Sequence, residues 1–455
     1  MKLVMRMIVT AVAVLIFSNL AQVVTAQANV STVTPEFAAA PGHANVREVP
    51  YLAAGDGKTD DSSAFQRALD QVGSEGGGLV FVPTGRYMIK SHLSVPAGTS
   101  LVGVGRAPLT YSRDVPESTL LATEGAGSTD GSPFITLRGP NSTIEGITVF
   151  YPNQVIADDP TPYPWTIRGG GGDNVSIFNV LLVNPYQAVD FGTNQTARHY
   201  IRGLYGQPLS KGIWVDQCYD IGRIQDVHFW PFWTQDKHII DFTTTKGTMM
   251  IFQRTDWEVV EDVFSWGYHV GIEFSASKYG AMNGQMTDVN LDNVNIGLDV
   301  QATQPYAVHI SNLNVANGGA GSDHIGIWGH DSAKQADLDI RGASFWGFVK
   351  QSLRWENSGT VSLSDSRLLP WNLDQPLVEL LAGNTILHDN IFQPYRQEHI
   401  KDYWSYDPVP AKEGAVAVRI GAAVNSVLIH GNQLNGNRIE MNSRGSGVLV
   451  NDNQP

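Results

Sequence analysis

Cysteine is almost absent from the 455-residue chain. The single Cys218 rules out an intrachain disulfide, so stability must come from packing and backbone hydrogen bonding. Positive charge is scarce too: 30 Lys and Arg against 44 Asp and Glu leave a net charge of −14. That balance argues against nucleic acid or an anionic membrane surface as partner, because both demand clustered Lys and Arg. No segment past the N-terminus looks transmembrane. The sequence has no His-Glu-Xaa-Xaa-His or Cys/His zinc spacing and no serine-hydrolase elbow. Gly57-Lys58-Thr59 lacks the first glycine of a phosphate loop, and Gly103-Val104-Gly105 lacks the third glycine of a dinucleotide site. Both read as turns. Cys218 has no His-bearing cysteine-hydrolase signature around it and reads as a small residue filling a bend.

What is plentiful is glycine, 46 residues, beside 42% hydrophobic residues, which suits an all-β chain with frequent turns and a large core. Residues 1–28 predict an export signal: Lys2 and Arg6, an apolar run from Ile8 to Phe17, then Ala26-Gln27-Ala28. The expected location is therefore secreted or periplasmic, with no membrane contact after signal removal. Residues 29–44 read as a flexible leader and 45–455 as one solenoid domain.

A short strand recurs through the middle of the chain. Gly212-Ile213-Trp214-Val215-Asp216 is echoed by Ala188-Val189-Asp190-Phe191-Gly192, Gly271-Ile272-Glu273-Phe274-Ser275, Gly297-Leu298-Asp299-Val300-Gln301 and Gly326-Ile327-Trp328-Gly329-His330. Period-two alternation puts Val189, Ile213, Ile272, Leu298 and Ile327 inward, and Asp190, Trp214, Glu273, Asp299 and Trp328 outward. A second outward column holds Gly192, Asp216, Ser275, Gln301 and His330. From Asn141 a second strand type alternates with the first, as in Val175–Val180, Ile224–Phe229 and Val308–Leu313, at the roughly 20 to 30 residue offset of a solenoid coil. The many Asn residues near its bends, Asn179, Asn184, Asn293, Asn312, Asn390 and Asn432, are expected to hydrogen-bond from coil to coil. Residues 229–269 break the rhythm and should hold about one extra coil plus excursions; a further excursion is expected from Gln393 to Lys412.

The opening stretch is the most distinctive. Asp56-Gly57-Lys58-Thr59-Asp60-Asp61 offers carboxylates to cap a helix over Ser62–Val72. Then come Gly77-Gly78-Leu79-Val80-Phe81-Val82-Pro83-Thr84-Gly85-Arg86-Tyr87, a strand around Ile89 to Leu93, and Leu101-Val102-Gly103-Val104-Gly105. These residues resemble the start of pectate-lyase-like right-handed parallel β-helix proteins, where the segment forms the N-terminal cap and first coils. The resemblance implies an all-β, single-stranded right-handed parallel β-helix with an N-terminal capping helix, 45–105 being cap and first coils. It does not choose a chemistry, because lyases, hydrolases, epimerases and phage tail spikes share the fold.

Rungs in a parallel stack lie about 4.8 Å apart, so the outward columns predict an acidic, aromatic-lined face. Asp190, Asp216, Glu273 and Asp299 are the candidate acid/base or nucleophilic carboxylates. Trp214, Trp328, His330, Trp233 and Trp257 are the candidate substrate contacts, since indoles stack on sugar rings. No basic residue appears in the two columns; Lys211, Lys278 and Arg168 lie nearby. The polygalacturonase pattern of Asn-Xaa-Asp, Asp-Asp, Gly-His-Gly and Arg-Xaa-Lys is not present as an ordered set, so no residue transfers by motif. The expectation is a polysaccharide-cleaving enzyme acting by carboxylate hydrolysis, with a polysaccharide or oligosaccharide as partner. A calcium-dependent uronate lyase and a non-catalytic carbohydrate-binding protein are the alternatives. No metal site is assigned, calcium is the cation the carboxylates would accept, and a side-by-side homo-oligomer stays open.

Overall fold

Period-two alternation of aliphatic and polar residues, broken every few residues by Gly, Asn or Asp, leaves the chain one economical way to bury its apolar face: coiling so that each strand pairs with its counterpart one turn on. The computed structural model describes residues 42–105, 117–317, 324–347, 349–369, 375–393, 395–402, 405–410, 414–442 and 447–455. The expected export signal and residues 29–41 of the leader lie outside them. Described structure begins earlier than the expected boundary at 45: His43–Asn45 is a strand paired in parallel with Leu79–Phe81.

The recurrent short strands form a 13-stranded parallel sheet running in sequence order from Leu93–Val95 to Arg438–Met441. All five echoed segments are rungs of it. One strand without the leading glycine, Thr248–Phe252, is inserted between Lys211–Val215 and Val270–Phe274, supplying the extra coil expected there. The excursion before it is a helix, Lys237–Lys246, whose N-terminus is capped by Asp236 accepting from His238 N. The glycines have a steric reason. A Cβ on Gly212, Gly271 or Gly297 would sit 2.1, 2.6 or 2.4 Å from the carbonyl oxygen of the next rung.

The second strand type builds a 22-stranded sheet, again in parallel coil order. Its long strands bend at one left-handed residue per coil, including Asn179, Asp226, Asp288, Asn312 and Asp365, with Gly203 and Gly342 at equivalent positions, all with φ between 52° and 72°. Gly, Asn and Asp recur there because they enter that region at least cost. The Asn residues therefore divide. Asn390 and Asn432 are buried, and Asn390 Nδ2 donates to Asn432 Oδ1 at 3.0 Å, as expected. Asn184 bonds the backbone of Tyr151 in the preceding coil and Asn312 Nδ2 donates to Asp288 Oδ1 one coil back, also as expected, while Asn179, Asn293 and Asn312 form left-handed bends. Among the described strands the antiparallel pair is Tyr395–Asp402 with Ser405–Pro410, inside the second expected excursion.

Both sheets enclose one continuous apolar core from Ala44 to Leu434. The helix Ser62–Ser74 buries Phe65, Leu69 and Val72 in it, against the strands of the first coils. Its N-terminus differs from expectation: Asp61 turns back to accept from Ala54 N and Gly55 N, while Asp60 accepts from Ser62 N. The run read as a strand from Ile89 to Leu93 is the break between Gly85–Ile89 and Leu93–Val95.

Candidate functional site

Rung pairing turns the outward positions of the 13-stranded sheet into one column: Thr136, Arg168, Asp190, Trp214, Ile251, Glu273, Asp299, Trp328, Arg354, Glu379, Arg419, Glu440. Three arginines stand in it, which corrects the expectation that the columns lack basic residues. Arg168 was missed because the position of its strand, Trp165–Gly169, that aligns with the leading Gly or Ala of the echoed segments holds Thr166. Past Trp328 the column is a ladder of alternating charge, with Glu379 bridged to Arg354 at 3.5 Å and to Arg419 at 3.3 Å.

The four expected carboxylates separate into two kinds. Asp190 is buried, accepts from Arg168 Nε at 2.5 Å, and receives the backbone N–H groups of Gly192 and Thr193. Asp216 is also buried and accepts from Gln217 N, Arg254 N and Ser277 Oγ. Both are filled by intramolecular donors and pin the turns that follow their strands. Neither stands open as the acid/base or nucleophilic candidate expected of it, because each side chain is taken up by backbone amides.

Glu273 and Asp299 are direct neighbours on adjacent rungs, as their alternation predicted. Burial pushes the Glu273 carboxyl up, and the Asp299 charge adds to that, against the hydrogen bond from Ser275 and the charges of Lys211 and His330. His330 Nε2 lies 2.7 Å from Asp299 Oδ1, a close ionic contact that is out of line for a hydrogen bond, and the His330 ring stacks on Trp328 at 4.0 Å. A polar relay supports Glu273 from the other side: Trp214 Nε1 donates to Gln253 Oε1, Gln253 Nε2 to Ser275 Oγ, and Ser275 to Glu273.

Glu273 closes one end of a hollow of about 760 Å3 whose lining includes Trp165, Arg168, Lys211, Trp214 and Gln253. Trp165 and Trp214 stack with centroids 6.1 Å apart. Gly192 makes room for this, since a Cβ there would lie 2.4 Å from the Trp214 indole. Arg168 is committed to Asp190, whereas Lys211 is exposed and has no hydrogen-bond or ion-pair partner among the described residues. Trp328 continues the column four rungs beyond Trp214, about 19 Å at the backbone, with Glu273 and Asp299 between them.

The remaining expected contacts lie elsewhere. Trp233 packs beneath the helical excursion with Leu209, Ile239 and Phe242. Trp257 stands exposed beside a different hollow. Calcium takes six to eight oxygens. The groove is lined by the carboxylates of Asp130 and Glu273, and Asp299 beside Glu273 is already against His330, so the donor set falls short of a calcium site. Among the described residues the group of three or more potential metal ligands is His199, Cys218 and Glu258, wholly buried; alternation carried no signal for it because all three sit at turns or strand ends.

Strictly stacked coils, an αL bend in each coil and a single core define a right-handed parallel β-helix. The family described as "Rhamnogalacturonase A/epimerase, pectate lyase-like" matches residues 44–151. Alginate lyase 7 of Azotobacter vinelandii is 38% identical over 68 residues, 13% of this chain and 8% of that protein. The chain matches less than a tenth of the length of its curated relatives. Among solved structures, the A-module of the Azotobacter vinelandii mannuronan C-5 epimerase AlgE6 superposes with TM-score 0.53 at 14% identity, covering 90% of this chain and 98% of that one. The N-terminal fragment of bacteriophage Phi29 gene product 12 gives 0.56 at 14% identity, covering 86% and 66%. Likeness at that identity concerns the fold.

Proposed function

We propose that the protein is a polysaccharide-acting enzyme that hydrolyses glycosidic bonds with Glu273 as general acid and Asp299 as its partner carboxylate. The observation that carries this reading is the Glu273–Asp299 neighbour pair, set between Trp214 and Trp328 at the end of a walled groove. Burial and the Asp299 charge favour a protonated Glu273, ready to donate to a leaving oxygen. His330 holds the Asp299 charge in place. Rungs about 4.8 Å apart fit the ~5 Å carboxylate spacing of retaining glycosidases, in which Asp299 would be the nucleophile. The names of the alginate lyase and the epimerase relatives support a polysaccharide substrate.

A second reading rests on Lys211. A cation in the groove whose ammonium makes no hydrogen bond or ion pair with the described residues suits a substrate carboxylate, as in a uronate lyase, where neutralising that group acidifies the α-proton. The deciding experiment incubates the purified chain with neutral and uronate polysaccharides while following reducing ends and ultraviolet absorbance together. Reducing ends without absorbance, lost in Glu273→Gln, support hydrolysis; both signals rising on uronates, lost in Lys211→Ala, replace it with the lyase. Turnover that survives both substitutions refutes the site.

A further inference from the structure

Trp257 does not share the groove of Trp214. It lines a separate hollow of about 490 Å3 beside the 22-stranded sheet, together with Tyr306, Gln285 and His309. Gln285 and His309 also line an adjoining hollow of about 410 Å3, so the two form one trough across successive coils. The indole of Trp257 is 69% exposed and the ring of Tyr306 74% exposed. Trp257 moreover holds φ at 62°, a left-handed conformation that is costly for a bulky residue and is most often retained where it serves a site.

The floor beneath these rings is rigid. Asp256 accepts from Arg254 and from Gln304 Nε2, both at 2.7 Å; Asn283 donates to Gln304 Oε1 at 2.7 Å and accepts from Trp257 N at 2.9 Å. Arg254 is paired with Asp256 and Arg341 with Asp365 at 3.0 Å, His309 lies 3.1 Å from Asp339, and the Glu261 carboxylate of the adjoining hollow accepts from Gln225 Nε2 with no ion-pair partner among the described residues. The Gln285 amide has no hydrogen-bond partner among the described residues. A ligand here meets two aromatic faces and neutral hydrogen-bonding groups, with no unpaired cation to hold an acidic sugar.

We propose that this trough is a second glycan-binding site, independent of the Glu273 groove, which takes a neutral oligosaccharide by stacking its sugar rings on Trp257 and Tyr306. A pyranose has the matching chemistry, an apolar face and a rim of hydroxyls, and aromatic stacking favours it without net charge. Its function would be to hold a polymer on the side of the solenoid while another stretch is processed.

The test titrates the full mature chain, and its Trp214→Ala, Trp257→Ala and Tyr306→Ala variants, with xylohexaose, mannohexaose and cellohexaose and with acidic hexauronates. Affinity is read by calorimetry, and folding by circular dichroism. In the Trp214→Ala background, which removes stacking in the Glu273 groove, a neutral hexasaccharide should still bind, and roughly tenfold more weakly once Trp257→Ala or Tyr306→Ala is added to a chain that remains folded. Trp257→Phe should restore most of the loss. Equal affinity in the Trp257 and Tyr306 variants, binding of hexauronates alone, or no binding of any of the three neutral hexasaccharides at millimolar concentration overturns the proposal. Failure of the Glu273 reading would leave this result untouched.

Discussion

At the scale of single residues, the protein's buried charges are its sharpest levers. His199 is fully buried, with Nδ1 against Thr196 O and Nε2 2.9 Å from Glu258 Oε1, while Thr255 Oγ1 donates to the other Glu258 oxygen. Burial alone would push His199 down, but the Glu258 carboxylate and Cys218 outweigh it and hold the imidazolium well above the usual histidine range. A folded value above the unfolded one means that the pair's contribution is complete below the ordinary histidine pKa and is lost as pH rises through the folded value. Thermal melts from pH 6 upward should therefore show a falling Tm, and Glu258→Gln should flatten that slope while costing about 3–5 kcal/mol, the penalty of a buried charge left alone. Glu273 offers a second test. Its carboxyl is raised partly by Asp299, so in Asp299→Asn the midpoint of Glu273, followed by NMR, should move towards lower pH. An unmoved midpoint would show that the two carboxylates do not sense each other. If Glu273 is the acid, Glu273→Gln should lower kcat by about 10²–10⁴ with substrate binding kept.

At the scale of elements, the rung and the bend obey different rules. Asn312 sits at φ 56° and donates from Nδ2 to Asp288 Oδ1 at 3.0 Å, one bend to the next. Asn312→Gly should change stability little, while Asn312→Val should cost at least 1–2 kcal/mol, because a β-branched residue resists the left-handed region. Denaturant unfolding of the two variants makes the comparison. Gly297 is constrained by space instead: its Cβ would meet Gly326 O at 2.4 Å, an atom of the neighbouring backbone that cannot swing away. Gly297→Ala should separate the Glu273 and Asp299 rungs from the Trp328 rung and lower both Tm and turnover. Alternation was enough to find the five echoed rungs and their inward residues. It could not find Thr248–Phe252 or Trp165–Gly169, where Met249 and Thr166 stand at the position of the leading Gly or Ala, and so Ile251 and Arg168 were missing from the column.

At the scale of the whole molecule, stability is a chain of nearest-neighbour contacts between coils around one core. Ile272 lies fully buried beneath Glu273, and Ile272→Ala should cost about 2–5 kcal/mol. The loss should be local. Hydrogen exchange should rise in Thr248–Phe252 and Ile296–Val300, the rungs on either side, well before Leu93–Val95. Uniform loss of protection along the solenoid would instead mean that all coils unfold as one unit.

The coil, its inward aliphatics, the left-handed bends and the adjacency of Glu273 and Asp299 were all present in the sequence, because period-two alternation and the Gly, Asn and Asp preference act within a few residues. Tertiary structure alone decided which outward carboxylates are taken up by the protein's own amides. Asp190 holds the same rung position as Glu273 and Asp299, and Asp216 the outward position two residues on, yet the turns after these two supply amide donors that fill them. It also decided that Trp214 and Trp257 stand over different hollows, since the distance between them is set by how many coils and excursions intervene. His199, Cys218 and Glu258 meet for the same reason: stacking brings together residues from successive coils, and no pattern within one coil records its neighbour.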